Sequence, residues 1–173
     1  MTKILVPAVL AALTVGCAAM GGGGAASAVA SLDATKGNAA KGRVTFTQVG
    51  GAVNVSGTFE GLKPNGQHAF HVHERGDCSS GDGMSTGGHF NPLGRPHGRH
   101  GGGEHHAGDL PTISADSYGN ATVSFTTRTI SVGSGPADVV GKGLIVHRDP
   151  DDYKSQPAGN AGPRLACAVI RKR

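Results

Sequence analysis

The sequence predicts an antiparallel all-β domain, a sandwich or barrel, on three observations. No segment keeps a 3.6-residue apolar period for three turns. The 173 residues include 30 glycines and 9 prolines, both costly inside helices. Short alternating apolar runs recur between long Gly/Pro-rich stretches, the pattern of many short strands joined by loops. The length fits one domain. With 37% apolar residues and no Trp, its core must be small, built from Val, Ile, Leu, Phe and Ala. The glycines follow no G-X-Y period, which excludes collagen. A net charge of +4, dispersed, is too weak for a nucleic-acid binder.

The strands are expected in this order. Arg43–Thr47 and Ala52–Phe59 alternate on either side of Gly50-Gly51, a hairpin signal. Ala69–His73 alternates as well, and Ala121–Phe125 follows the turn Ser117-Tyr118-Gly119-Asn120. Val139–His147 and Arg164–Ile170 complete the set. The stretches 74–110, 131–138 and 148–163 remain as loops, long enough to carry function. There is no internal repeat and no sign of a second domain.

The chain opens with Lys3 and an apolar run from Ile4 to Cys17, too short for a stable membrane span and expected to be a signal peptide, residues 1–17. Cys17 after Gly16 resembles a lipoprotein cleavage site, although Thr14 stands where Leu is usual. Ordinary cleavage near Ala25-Ala26-Ser27-Ala28 is the alternative, leaving a soluble exported protein. Residues 18–41 are expected to be a Gly/Ala-rich tether, with the folded domain at 42–173. Either route places the chain in the periplasm or cell envelope. If Cys17 is modified, Cys78 and Cys167 remain as a disulfide candidate in an oxidising compartment, or as two buried thiols.

All nine histidines lie between His68 and His147, which makes a metal site the first hypothesis. His71 and His73 project from one strand face, while Phe70 and Val72 anchor the other in the core. His147 ends a second apolar strand. His89 and His97 sit in the glycine-rich loop. His106 and Asp109 are three residues apart, so one turn can aim both at one ion. Imidazole and carboxylate without thiolate suit zinc or oxidised copper. The HExxH protease pattern is absent.

These motifs together resemble the copper/zinc superoxide dismutases, in an exported bacterial and lipoprotein-like form. His68-Ala69-Phe70-His71-Val72-His73-Glu74 is similar to that family's first copper-ligand strand. Gly87-Gly88-His89-Phe90-Asn91-Pro92 is similar to its bridging-histidine motif, and Gly108-Asp109-Leu110 to the end of its zinc loop. Gly159 to Cys167 is similar to its C-terminal motif. The resemblance covers about residues 42–170. It implies a Greek-key sandwich or barrel with long metal-binding loops. His71, His73, His89 and His147 would bind copper, and His89, His97, His106 and Asp109 zinc. His89 would bridge the two, Arg164 would face the copper at the anion entrance, and Asp151 would join a copper-side to a zinc-side histidine. Cys78 and Cys167 would form the disulfide, and His68 would be structural. The implied activity converts superoxide to dioxygen and hydrogen peroxide by one-electron cycling of copper, protecting the envelope. The implied unit is a monomer or homodimer.

The sequence departs from the family pattern in places. Cys78 follows His73 by five residues, closer than in many eukaryotic relatives. Segment 148–163 is short and lacks Glu, which puts substrate steering in doubt. His100 and His105 are in excess and are expected to be solvated; His106 is preferred over His105 for its spacing to Asp109. A metal store or delivery protein on the same fold would have lost Arg164 or His89, and an adhesion module most ligands. A copper-only enzyme would lack His97, His106 and Asp109.

Overall fold

In the computed structural model, residues 25–173 are described. The expected signal peptide, Cys17 and the first part of the tether lie outside them. Ten strands follow in chain order: β1 (Ser27–Ala34), β2 (Lys41–Val49), β3 (Ala52–Glu60), β4 (Gln67–His68) and β5 (Phe70–His73), then β6 (Ile113–Ser114), β7 (Ala121–Thr127), β8 (Gly143–His147), β9 (Arg164–Val169) and β10 (Arg171–Lys172). Among the described residues the single helical piece is a 3-10 turn, Met84–Thr86.

One curled antiparallel sheet has the order β5-β8-β9-β1-β2-β3-β7, with β10 added on β1, and β4 pairs with β6 apart from it. The connections from β3 to β5 and from β7 to β8 carry the chain from one side of this order to the other, the long crossings of a Greek key. The all-β class holds. The strands expected at 43–47, 52–59 and 121–125 lie within β2, β3 and β7, and β2 and β3 pair directly across Gly50-Gly51.

The tether is a correction. Ser27–Ala34 is not a linker but β1, seated between β2 and β9. Ala28, Ala30 and Leu32 alternate inward and are buried, while Ser31 and Asp33 face out. A strand of small side chains reads as flexible composition, yet it fills the narrow space beneath its neighbours. The chain is ordered onward as well: the Thr35 hydroxyl donates to Arg164 O at 2.6 Å. The folded unit therefore begins well before residue 42. The strand expected from Val139 is also shorter, because Gly141 (φ 80°) turns the chain before Gly143.

Phe46, Phe70, Leu144 and Ile113 lie in one buried cluster, with Phe59 edge-on to Phe70 at 5.5 Å. Phe70 and Val72 are fully buried there, which fixes the face of β5 that His71 and His73 take. Each large apolar side chain so buried contributes about 1.5–3 kcal/mol. Cys78 and Cys167 form a disulfide spanning 89 residues of sequence, tying the start of the long loop to β9. The loop-entropy model gives about 4.5 kcal/mol for such a closure as an upper figure.

Candidate metal centre

The site grows outward from β5. Phe90 N–H donates to Val72 O, Val72 N–H to Gly108 O, and Gly108 N–H to Phe90 O, at 2.8–2.9 Å. Position 108 must be glycine here, since a Cβ would collide with Val72 O. This triangle staples two separate parts of the loop against β5. It brings His89 beside His73 and Asp109 beside His71. β8 pairs with β5 on the other side, and a register shift after Val146 turns His147 toward His73.

Two buried groups of possible ligand atoms result, each within 4.8 Å: His71, His73, His89 and His147; and His89, His97, His106 and Asp109. They are the two sets the sequence resemblance implied, and His89 belongs to both. The hydrogen bonds of the outer ring nitrogens fix which nitrogen faces inward. His73 Nδ1 pairs with Gly87 O at 2.9 Å and His147 Nδ1 with Gly162 O at 3.1 Å. Their Nε2 atoms are left facing each other at 3.3 Å. His71 Nε2 pairs with Asp151 Oδ2 and His97 Nε2 with Asp151 Oδ1, each at 2.9 Å. One carboxylate thus orients a ring in each group, as expected of Asp151.

Asp109 is the pivot of the second group. Its Oδ2 accepts from the backbone N–H of Gly98 and His106. Its Oδ1 lies 2.9 Å from His89 Nδ1, 3.0 Å from His97 Nδ1 and 3.3 Å from His106 Nδ1. His71 Nδ1, His89 Nε2 and His97 Nδ1 are buried without a hydrogen-bond partner, although His97 Nδ1 is so near the carboxylate. Buried polar atoms left unpaired are rare and costly. Inward-facing lone pairs at this density fit cations, so the residues present suit two metal ions. His68 Nε2 is also buried without a partner, but His68 belongs to neither group; its Nδ1 pairs with His147 O, supporting the strand, in keeping with a structural role.

The electrostatics separate the two groups. Burial pushes His73 and His147 well below the usual imidazole range, aided by neighbouring histidines and Arg164. Burial also lowers His89 to about 4 against the opposing pull of Asp109. At His97 burial acts downward too, but the Asp109 and Asp151 carboxylates outweigh it and raise the ring to about 9. Asp109 and Asp151 are held below the ordinary carboxylate range, their histidine partners overcoming burial. Burial thus disfavours charge on His73, His89 and His147, whereas the second group is built around the Asp109 carboxylate.

A pocket of about 470 Å³ opens over the first group, its wall including His73, His89, His147, Arg164 and Met84. Arg164 is half-buried and held rigidly. Its Nη1 donates to Gly83 O at 2.5 Å and Thr86 Oγ1 at 2.7 Å, and its Nη2 to Gly87 O at 2.7 Å. The sequence reading missed Thr86. It also missed Gln156, whose side chain accepts from His97 N–H and donates to His97 O. Neither carries a local signal beyond its place in a loop. His100 and His105 are corrected: His105 is buried and His100 partly so. Their rings lie 5.4 Å apart behind the second group, bonded to Asp109 O and His106 O, outside both ligand sets.

A curled antiparallel β-sheet carrying two adjoining, histidine-built metal centres with one shared imidazole defines a class of binuclear metalloprotein. The family model described as "Copper/zinc superoxide dismutase (SODC)" matches residues 40–170. "Superoxide dismutase [Cu-Zn] 2" of Aquifex aeolicus (strain VF5) is 41% identical over 134 residues, covering 75% of this chain and 78% of that one. "Superoxide dismutase [Cu-Zn] 2" of Brassica juncea is 45% identical over 149 residues, covering 82% and 95%. The solved structure titled "Crystal Structure Analysis of the clock protein EA4" superposes with a TM-score of 0.78 at 40% identity, covering 85% of this chain and 94% of that one. The chain belongs to the copper/zinc superoxide dismutase family: an oxidoreductase acting on superoxide, with copper and zinc as its cofactors. β1 lies before the residues the family model matches, yet it is central in the sheet.

Proposed function

We propose that His71, His73, His89 and His147 hold the copper, that His89, His97, His106 and Asp109 hold the zinc, and that His89 serves both. The observation that carries this is the His89 ring: Nδ1 lies with Asp109 and His106, while Nε2 is buried and unpartnered. When bound, copper supplies one-electron exchange with superoxide, which zinc, lacking an accessible redox change, cannot.

The chain's own groups do the rest. Arg164 presents a fixed positive charge at the pocket wall, where it draws in a small anion and stabilises it. Its three acceptors all lie in the segment that the disulfide ties down, so the charge needs no rearrangement during turnover. Whenever its Nε2 is free of copper, His89 would carry a proton there and supply it to the reduced substrate, which leaves as hydrogen peroxide once a second proton arrives from water. Asp151 keeps the His71 and His97 rings in one tautomer and orientation.

The export signal and Cys17 support a place in the periplasm or cell envelope, held by a lipid on Cys17, and a role against extracytoplasmic superoxide. The test is to count copper and zinc in the purified chain and to assay superoxide loss on the same sample. About one of each per chain, with turnover abolished by a copper chelator, is the expected result. One metal alone, or both without turnover, overturns the assignment. The mass of the membrane-extracted chain shows separately whether Cys17 carries lipid.

A further inference from the structure

We propose that Arg171-Lys172-Arg173 is a docking patch for the anionic headgroups of a membrane, and that it holds the catalytic pocket turned away from that surface. As a sequence the run reads as a solvated tail or as a contact for anionic surfaces. In the fold it is tied down: Arg171 and Lys172 pair with Val29 and Ala28 of β1, and Arg173 N–H donates to Ser27 O at 2.9 Å. All three side chains are exposed. The arginine–carboxylate pairs among the described residues are Arg75–Glu74 and Arg148–Asp149, so none neutralises the run.

Position singles out the partner. The patch lies against the first residues of β1, and Ser27 is ten residues beyond Cys17. A stretch of that length reaches at most about 35 Å. On the envelope reading above, on which this inference rests, the patch is therefore kept near lipid headgroups. A polybasic patch is a recognised second membrane signal beside an acyl chain, and each cation near an anionic surface adds to it. The exposed side chain of Val49, next to Gln48 whose N–H donates to Ala26 O, adds an apolar tip at the same end. Two acidic groups lie on this side: Asp33 lines one groove with Arg171 without an ion pair to it, and the Asp138 carboxylate already accepts from Gly133 and Val140 N–H.

The opposite end of β1 carries the active side. Ala34 pairs with Ala166, and Thr35 bonds to Arg164 and Leu165. At about 3.3 Å per residue, the patch and Arg164 stand about 20 Å apart along the strand. Docking through the patch leaves Arg164 at the far end of β1 from the surface.

The experiment compares the full chain with the triple variant Arg171→Gln, Lys172→Gln, Arg173→Gln. Partition is measured into vesicles of phosphatidylcholine alone and with about one third phosphatidylglycerol, at low and high salt. The apolar N-terminus is common to both proteins, so the preference for anionic vesicles reads the patch alone. The expected result is a salt-sensitive preference that falls at least tenfold in the variant, with superoxide turnover unchanged in solution. An equal preference in both proteins, or none in either, overturns the proposal. Loss of turnover in the variant overturns the separation of patch and pocket. An unlipidated Cys17 would sink the anchor and leave the vesicle result standing on its own.

Discussion

The two halves of the metal centre are built differently. In the group proposed for copper, His71 and His73 come from β5 and His147 from β8, neighbours in a ladder whose far face is core. In the group proposed for zinc, His97, His106 and Asp109 come from one loop with no strand of its own, held by Asp151, Gln156 and the backbone triangle at Val72. Sheet register places the first set whether or not a metal is present. The second set is carried by polar bonds to a few side chains, so its geometry depends more heavily on the ion and on those partners. The first group is a property of the sheet; the second is a property of the loop that lies on it.

Removing the residue that both halves share gives the largest effect. His89→Ala is expected to cut superoxide turnover by about 10²- to 10⁴-fold, the range for losing a positioned proton donor. Titration should also show zinc and copper binding no longer coupled. Turnover within a factor of two of the parent would refute a shared role.

A smaller effect is expected where the halves are tied together. Asp151→Asn replaces an acceptor of three N–H groups, from His71, His97 and the Tyr153 backbone, by a side chain with one acceptor and one donor end. Metal affinity should fall about 10- to 100-fold. Chelator competition should show the greater loss for zinc, because His97 lies on the loop and His71 in the sheet. Equal losses for both metals would contradict the contrast between sheet and loop.

The smallest effect is in the metal-free protein, where the halves should respond to pH in opposite directions. His97, raised to about 9 from an unfolded value near 6.5, stabilises the fold below about pH 6.5. That contribution is lost as pH rises through about 9. His73 and His147 are depressed, so the unfolded chain alone takes up their protons once pH falls below about 6.5, and stability falls with it. Denaturant midpoints against pH should show both limbs. His97→Gln should flatten the alkaline limb and His147→Gln the acid one; the same change in both variants would count against the division.

Legibility followed the same line. The His71/His73 face could be read directly, because side chains alternate strictly along a strand and Phe70 and Val72 declare the buried side. The spacing of His106 and Asp109 was equally local, and the two side chains do lie together, with His105 outside the group. β1 was missed because its alternation is carried by alanines, which look like linker composition. Thr86 and Gln156 were missed because a hydroxyl or amide in a loop gains meaning only from what lies opposite.

By itself the sequence determined the all-β class, the strands with strong apolar alternation, the residues able to ligate metals and the cysteines available for a bridge. These follow from side-chain chemistry and from a period of two, both set within a few residues. Only the tertiary structure decided that Ser27–Ala34 belongs in the sheet and that His89 has one ring nitrogen among the loop ligands and the other buried without a partner. It alone placed Arg164 on three fixed acceptors, and Arg171-Lys172-Arg173 at the far end of β1 from the pocket. Each depends on backbone segments dozens of residues apart being stapled together, and no local propensity encodes the partner.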